Sequence, residues 1–146
     1  MNIRKTTKKD VPIIVEMMAN DTLGSQRERF QDPLPDSYWK AFEQIATDSN
    51  QELVVLENDF ETVVGTLQLS FLQYLTYQGG IRAQIEQVRV HESQRGKGLG
   101  KFLFEWAKEK GAHMVQLTTD KKRPAALKFY ENLGFQATHE GMKLHL

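Results

Sequence analysis

Between residues 94 and 101 the chain runs Gln94-Arg95-Gly96-Lys97-Gly98-Leu99-Gly100-Lys101, and no other segment restricts the fold as tightly. Glycines at alternate positions let the backbone turn sharply and present successive N–H groups to one point. The segment after the glycines is helical in period: Leu99, Phe102, Leu103 and Trp106 fall at i, i+3, i+4 and i+7. The segment before them, Ile81 to Val90, has the β-branched and alternating character of a strand. A strand, a glycine turn and a helix in that order require a layered α/β or α+β domain. The helix start and the cations Arg95, Lys97 and Lys101 would suit a phosphate or pyrophosphate, the plain alternative being a turn that caps a helix.

The spacing excludes two familiar phosphate loops. G-x-x-x-x-G-K-[ST] is not supplied, and the spacing G-x-G-x-G is not the G-x-G-x-x-G of a dinucleotide fold. Asp120 stands where the ribose-binding acid of such a fold would fall, but no second βαβ half follows.

The strand before the loop carries an irregularity. Ile81, Ala83 and Ile85 are apolar at odd positions, Val88 and Val90 at even ones, so the phase slips at Glu86 and Gln87. A β-bulge would restore one apolar face and bend the strand. A strand buried on both faces would also account for it.

The remaining chain divides by period. Ile3–Thr6 is predicted as a strand and Lys8–Ala19 as a helix with Thr7 or Asp10 near its cap. Residues 20–35 hold Gly24, Pro33 and Pro35 and are expected to form a loop; a helix follows from Asp36, with Trp39, Phe42 and Ile45 as its stripe. Strands are predicted at Leu53–Leu56, Thr62–Leu72 and Met114–Thr119, and a helix at Pro124–Leu133 closed by Gly134. Phe135–His139 and Met142–Leu146 are expected to add a final strand pair. The 146 residues make one domain, 1–146, without repeat or linker.

Composition narrows the function classes. The absence of cysteine excludes disulfides, thiolate metal sites and cysteine nucleophiles. His91, His113, His139 and His145 lack metal-ligand spacing, so no metal is assigned. No apolar run reaches membrane-spanning length and no secretory leader is read, so a cytoplasmic protein with no membrane partner is expected. Nineteen basic residues against 19 acidic ones argue against nucleic acid as a partner. The balance is uneven, however: residues 28–61 carry nine acidic and two basic side chains. A basic remainder would suit an anionic cofactor, and the acidic part would attract a cationic amine.

Arg95-Gly96-Lys97-Gly98-Leu99-Gly100 resembles the R/Q-x-x-G-x-G/A loop of the GCN5-related N-acetyltransferases (GNAT), which holds the pyrophosphate of acetyl-coenzyme A. Ala126-Leu127-Lys128-Phe129-Tyr130-Glu131-Asn132-Leu133-Gly134-Phe135 is similar to that family's A-x-x-F-Y-x-x-x-G-F segment, and Ile3 to Asp10 to its usual opening. The resemblance implies a mixed, mostly antiparallel sheet of six to seven strands with about four helices, splayed at the strand 81–90. It also implies transfer of an acetyl group from acetyl-coenzyme A to a small-molecule amine. The alternatives are a peptide or protein acceptor, or a non-catalytic acyl-coenzyme A-binding module; a homodimer is common among relatives.

Residue roles come from the same resemblance. Val88, Arg89 and Val90 would flank the pantetheine arm, with Val88 N–H as an oxyanion donor. Residues Arg95, Gly96, Lys97, Gly98, Leu99, Gly100 and Lys101 would hold the phosphates, and Phe129 and Tyr130 would line the cofactor. Tyr130 is the expected general acid toward the leaving thiolate, unless it is helix core. Glu86, at the inferred bulge, is the expected base, or else an anchor for the acceptor. Where many relatives place an Asn, this chain has Arg123, ending the run Lys121-Lys122-Arg123; it would contact cofactor phosphates or form a solvated helix start.

Overall fold

The structure, a computed structural model, describes residues 2–94 and 99–146. The elements in order are β1 (Asn2–Lys5), α1 (Val11–Ala19), α2 (Asp36–Thr47), β2 (Gln51–Glu57), β3 (Val63–Gln73), the single turn α3 (Thr76–Gly79), β4 (Ile81–Val90), α4 (Leu99–Glu109), β5 (Ala112–Gln116) and α5 (Pro124–Asn132). The strands form one five-stranded sheet in sequence order. Pairing is antiparallel from β1 to β4, while β4 and β5 run parallel. The change of sense results from the connection: α3 lies on a tight reversal, whereas α4 carries the chain across the sheet.

Each face of the sheet has its own core, and strand alternation decides which residues serve which. Val54, Leu56, Val64, Leu67, Leu69, Ala83 and Ile85 are buried on one face, with Ala107 of α4 and partly buried Phe104, Trp106 and Phe135. Val55 turns to the other face, where it meets Val11, Ile14, Val15 and Met18 of α1 and Leu34, flanked by Trp39 and Phe42 of α2. The entry to α1 is fastened by charge. Asp10 accepts hydrogen bonds from Thr7 N at 2.7 Å and from Arg4 Nη1 and Nη2 at 2.8 and 2.9 Å, while Arg4 Nε donates to Glu57 at 2.7 Å. One guanidinium thereby joins β1, β2 and the start of the first helical layer.

The mixed α/β class stands, with corrections to its outline. The expected strands Phe135–His139 and Met142–Leu146 do not form, so the sheet has five strands among the described residues, not six or seven. Met142 and Leu144 alternate as a strand would but are 93% and 87% exposed. Period-two alternation becomes a strand only where another edge supplies ladder hydrogen bonds and a surface to cover. The strand expected at Met114–Thr119 begins earlier and ends sooner, at Ala112–Gln116. Gly111 and Gly134 do take positive φ, 78° and 95°, at the ends of α4 and α5.

Candidate active site

The bulge lies where the hydrophobic phase slips. Thr66 pairs with Arg89 and Gln68 with Glu86, so a single residue of β3, Leu67, faces two of β4, Gln87 and Val88. Gln87 takes φ 57°, the left-handed region that a non-glycine residue enters at a cost. The extra residue restores the core face: Val88 and Val90 pack against the same cluster as Ala83 and Ile85. Burial on both faces is ruled out, because Glu86 and Gln87 are exposed.

The same register sends Glu86 and Arg89 to the opposite face, opposite Gln68 and Thr66. That is the face on which α1 packs and from which the loop 20–35 departs. Beyond the bulge the sheet also opens on its other side. β4 and β5 pair only from Ile81↔Ala112 to Gln84↔Gln116, and β5 ends there. The second half of β4, from Glu86 on, is therefore not laddered to β5, while the chain after β5 leads on to α5.

Tyr130 is placed by the last turns of α5, which begins with Pro124 in its first turn. Its ring meets Phe129 and Phe135 edge to face, with centroids 5.2 and 5.6 Å away. Burial raises the pKa of the phenol above its ordinary value, against the downward pull of the Arg89 and Arg123 guanidiniums and with a smaller upward push from Glu86. The phenol is neutral at physiological pH and able to donate a proton. Phe129 is only part-covered, its outer side open.

Asp21, in the loop after α1, belongs to no sequence motif. Its carboxylate accepts from Arg89 Nη2 at 3.4 Å and from Arg123 Nη2, and so ties the loop to both β4 and the first residue before α5. These partners lie 68 and 102 positions away, so no local pattern could have found them. Arg123, expected at the cofactor edge or in solvent, is thus turned to a carboxylate of the loop after α1.

Four expected phosphate ligands, Arg95, Gly96, Lys97 and Gly98, lie outside the described residues. The helix after them does start at Leu99 and takes in Gly100 and Lys101. Before them β4 ends at Val90 and a short turn covers Glu92–Gln94.

Comparison with known proteins agrees with this layout. The sequence profile of the acetyltransferase (GNAT) family matches residues 16–135. A solved structure described as a transcriptional regulator from Bacillus halodurans C-125 is 53% identical over 99% of both chains, with a TM-score of 0.90. Among curated proteins, a glucosamine 6-phosphate N-acetyltransferase of Trypanosoma brucei brucei is 39% identical over 88 residues, 58% of each chain. An aminoalkylphosphonate N-acetyltransferase of Salmonella typhimurium is 32% identical over 81 residues, 53% of this chain and 52% of that one. The chain thus spans little more than half the length of the curated relatives it matches. The bulged strand, the parting of β4 from β5 and the aromatic helix after it all fall within the matched residues, and the chain belongs to the acetyltransferase (GNAT) family.

Proposed function

We propose that the protein is an N-acetyltransferase that moves an acetyl group from acetyl-coenzyme A to the primary amine of a small molecule, within a ternary complex. The observation that carries the reading is the bulge at Gln87 on a stretch of β4 not laddered to β5, with the neutral phenol of Tyr130 held near Arg89, Arg123 and Glu86. Beyond Gln84, β4 has an edge that is not laddered to β5, and the extended amide-bearing pantetheine arm fits such an edge. In this reading Val88 and Val90 flank the arm, and residues 95–101 take the phosphates.

The proposed step balances as a direct displacement. The ammonium form of the acceptor first gives a proton to Glu86, directly or through solvent. The amine nitrogen then bonds to the thioester carbonyl carbon, whose oxygen gathers negative charge opposite the Val88 N–H. As the C–S bond breaks, its electron pair stays on sulfur and the Tyr130 hydroxyl supplies a proton. Coenzyme A leaves as the thiol, the attacking nitrogen gives up its second proton through solvent to restore the Tyr130 phenol, and the amide product keeps the new C–N bond.

The curated relatives named for glucosamine 6-phosphate and aminoalkylphosphonate favour a small amine as acceptor. The relative described as a transcriptional regulator favours a second reading, a module that binds acyl-coenzyme A without turning it over. Thiol release from acetyl-coenzyme A, followed with a set of primary amines, separates the two. Amine-dependent release is the expected outcome; tight cofactor binding with no release from any amine would replace the enzyme by the module.

A further inference from the structure

The acidic residues of 28–61 predicted a cationic acceptor, but the fold commits several of them elsewhere: Glu52 pairs with Lys110 at 2.8 Å, Glu57 with Arg4 at 2.7 Å and Glu28 with Arg27 at 3.0 Å. The charges gathered round Tyr130 are two guanidiniums, Arg89 and Arg123, and the carboxylate of Glu86. Asp21 is the carboxylate that both guanidiniums share.

Arg89 is a mostly buried cation whose donors are underused. Its side chain is 15% exposed; Nη1 donates to its neighbour's carbonyl, Val88 O, at 2.8 Å. Nη2 reaches Asp21 at 3.4 Å, long for a charge-assisted bond. Nε is buried and donates to no atom of the described residues. Thr66, directly across on β3, is turned away, donating to Val54 O at 2.9 Å. Burial and the nearby Arg123 and Arg27 lower the pKa of Arg89 against the opposing effect of Asp21, as expected for positive charge in local excess.

We propose that Arg89 and Arg123 form a subsite for an oxyanion carried by the acceptor, and that the Asp21 carboxylate occupies this subsite in the acceptor's absence. The proposal rests on the acetyl-transfer reading in taking the ligand to be the acceptor. A phosphonate, phosphate or carboxylate set against Nε and Nη2 of Arg89 makes the paired contact that a guanidinium offers, and completes its donor set. Arg123 closes on the same group from the α5 side. Glu86 lies three positions earlier on the same face of β4, roughly 7–10 Å along the strand. An amine within that reach of the oxyanion comes to the base, so the fitting acceptor is a short aminoalkyl oxyanion.

Isothermal titration of the full chain with coenzyme A present, so that no turnover occurs, tests this directly. The probes are 2-aminoethylphosphonate, propylamine and putrescine, which share an amine and differ in the charge of the tail. 2-Aminoethylphosphonate is expected to bind about tenfold or more tightly than the other two. Arg89→Gln should erase that preference, and Arg89→Lys should keep part of it by retaining the charge without the fork. Equal binding of the three probes, or a preference that survives Arg89→Gln, overturns the subsite. So does competition between 2-aminoethylphosphonate and coenzyme A, which would give the arginines to the cofactor. Thermal melting checks folding, and if Arg89→Gln does not fold, Arg123→Gln carries the same test. The two readings fail separately: a phosphonate preference without thiol release sinks acetyl transfer, and release from all amines without preference sinks the subsite.

Discussion

Neutralising one carboxylate tests how charge holds the first helical layer to the sheet. The Asp10 side chain is 8% exposed and accepts from both terminal nitrogens of Arg4 and from the backbone and hydroxyl of Thr7. Its pKa falls from the ordinary 3.8 to about 2, the hydrogen bond from Arg4 being the largest cause and burial opposing it. A carboxylate with a depressed folded-state pKa contributes stability that is complete above 3.8 and is lost as pH falls toward 2. A depression of that size corresponds to about 2 kcal/mol. Asn is close in shape to a protonated Asp, so Asp10→Asn isolates the charge. Urea unfolding, followed through Trp39 and Trp106, should find the parent more stable by about 2 kcal/mol between pH 5 and 7. The gap should shrink as pH drops below 4 and approach zero near pH 2. A gap under about 0.5 kcal/mol at pH 7, or one that does not change with pH, would refute the argument.

Tyr130→Phe should lower kcat about 10²- to 10⁴-fold with little change in cofactor affinity, and near-parental turnover would remove Tyr130 from the mechanism. Because burial raises the pKa of that phenol, the rate should not fall on the alkaline side until pH passes 10; a fall centred between pH 8 and 9 would assign the loss to another group. Glu86→Gln should flatten the part of the rise of rate with pH that an enzymic base supplies, and an unaltered pH profile would acquit Glu86. At the bulge, Gln87→Val should destabilise by about 1–2 kcal/mol in denaturant titrations while Gln87→Gly is neutral or better; equal effects would mean that φ 57° carries no cost there.

Local signals proved readable where one segment answers to one physical demand. The slip of apolar phase at Glu86 and Gln87 located the bulge, because a sheet face must stay apolar whatever the residue count. Gly134 marked a helix end, since φ of 95° suits a residue without Cβ. By contrast, Tyr77 and Gln78 take φ of 54° and 58° in α3, and neither residue type announces it.

By itself, then, the order of residues determined the alternation of strands and helices, the bulge and the place of Tyr130 on an aromatic helix. All of these depend on neighbours within a few positions, where periodicity and backbone sterics act. The tertiary structure alone decided that Met142–Leu146 joins no sheet and that Gln84 is the last residue of β4 paired to β5. It alone brought Asp21 to Arg89 and Arg123. Ladder pairing and ion pairing are contacts between segments far apart in the chain, and a local pattern holds no record of which distant partner arrives.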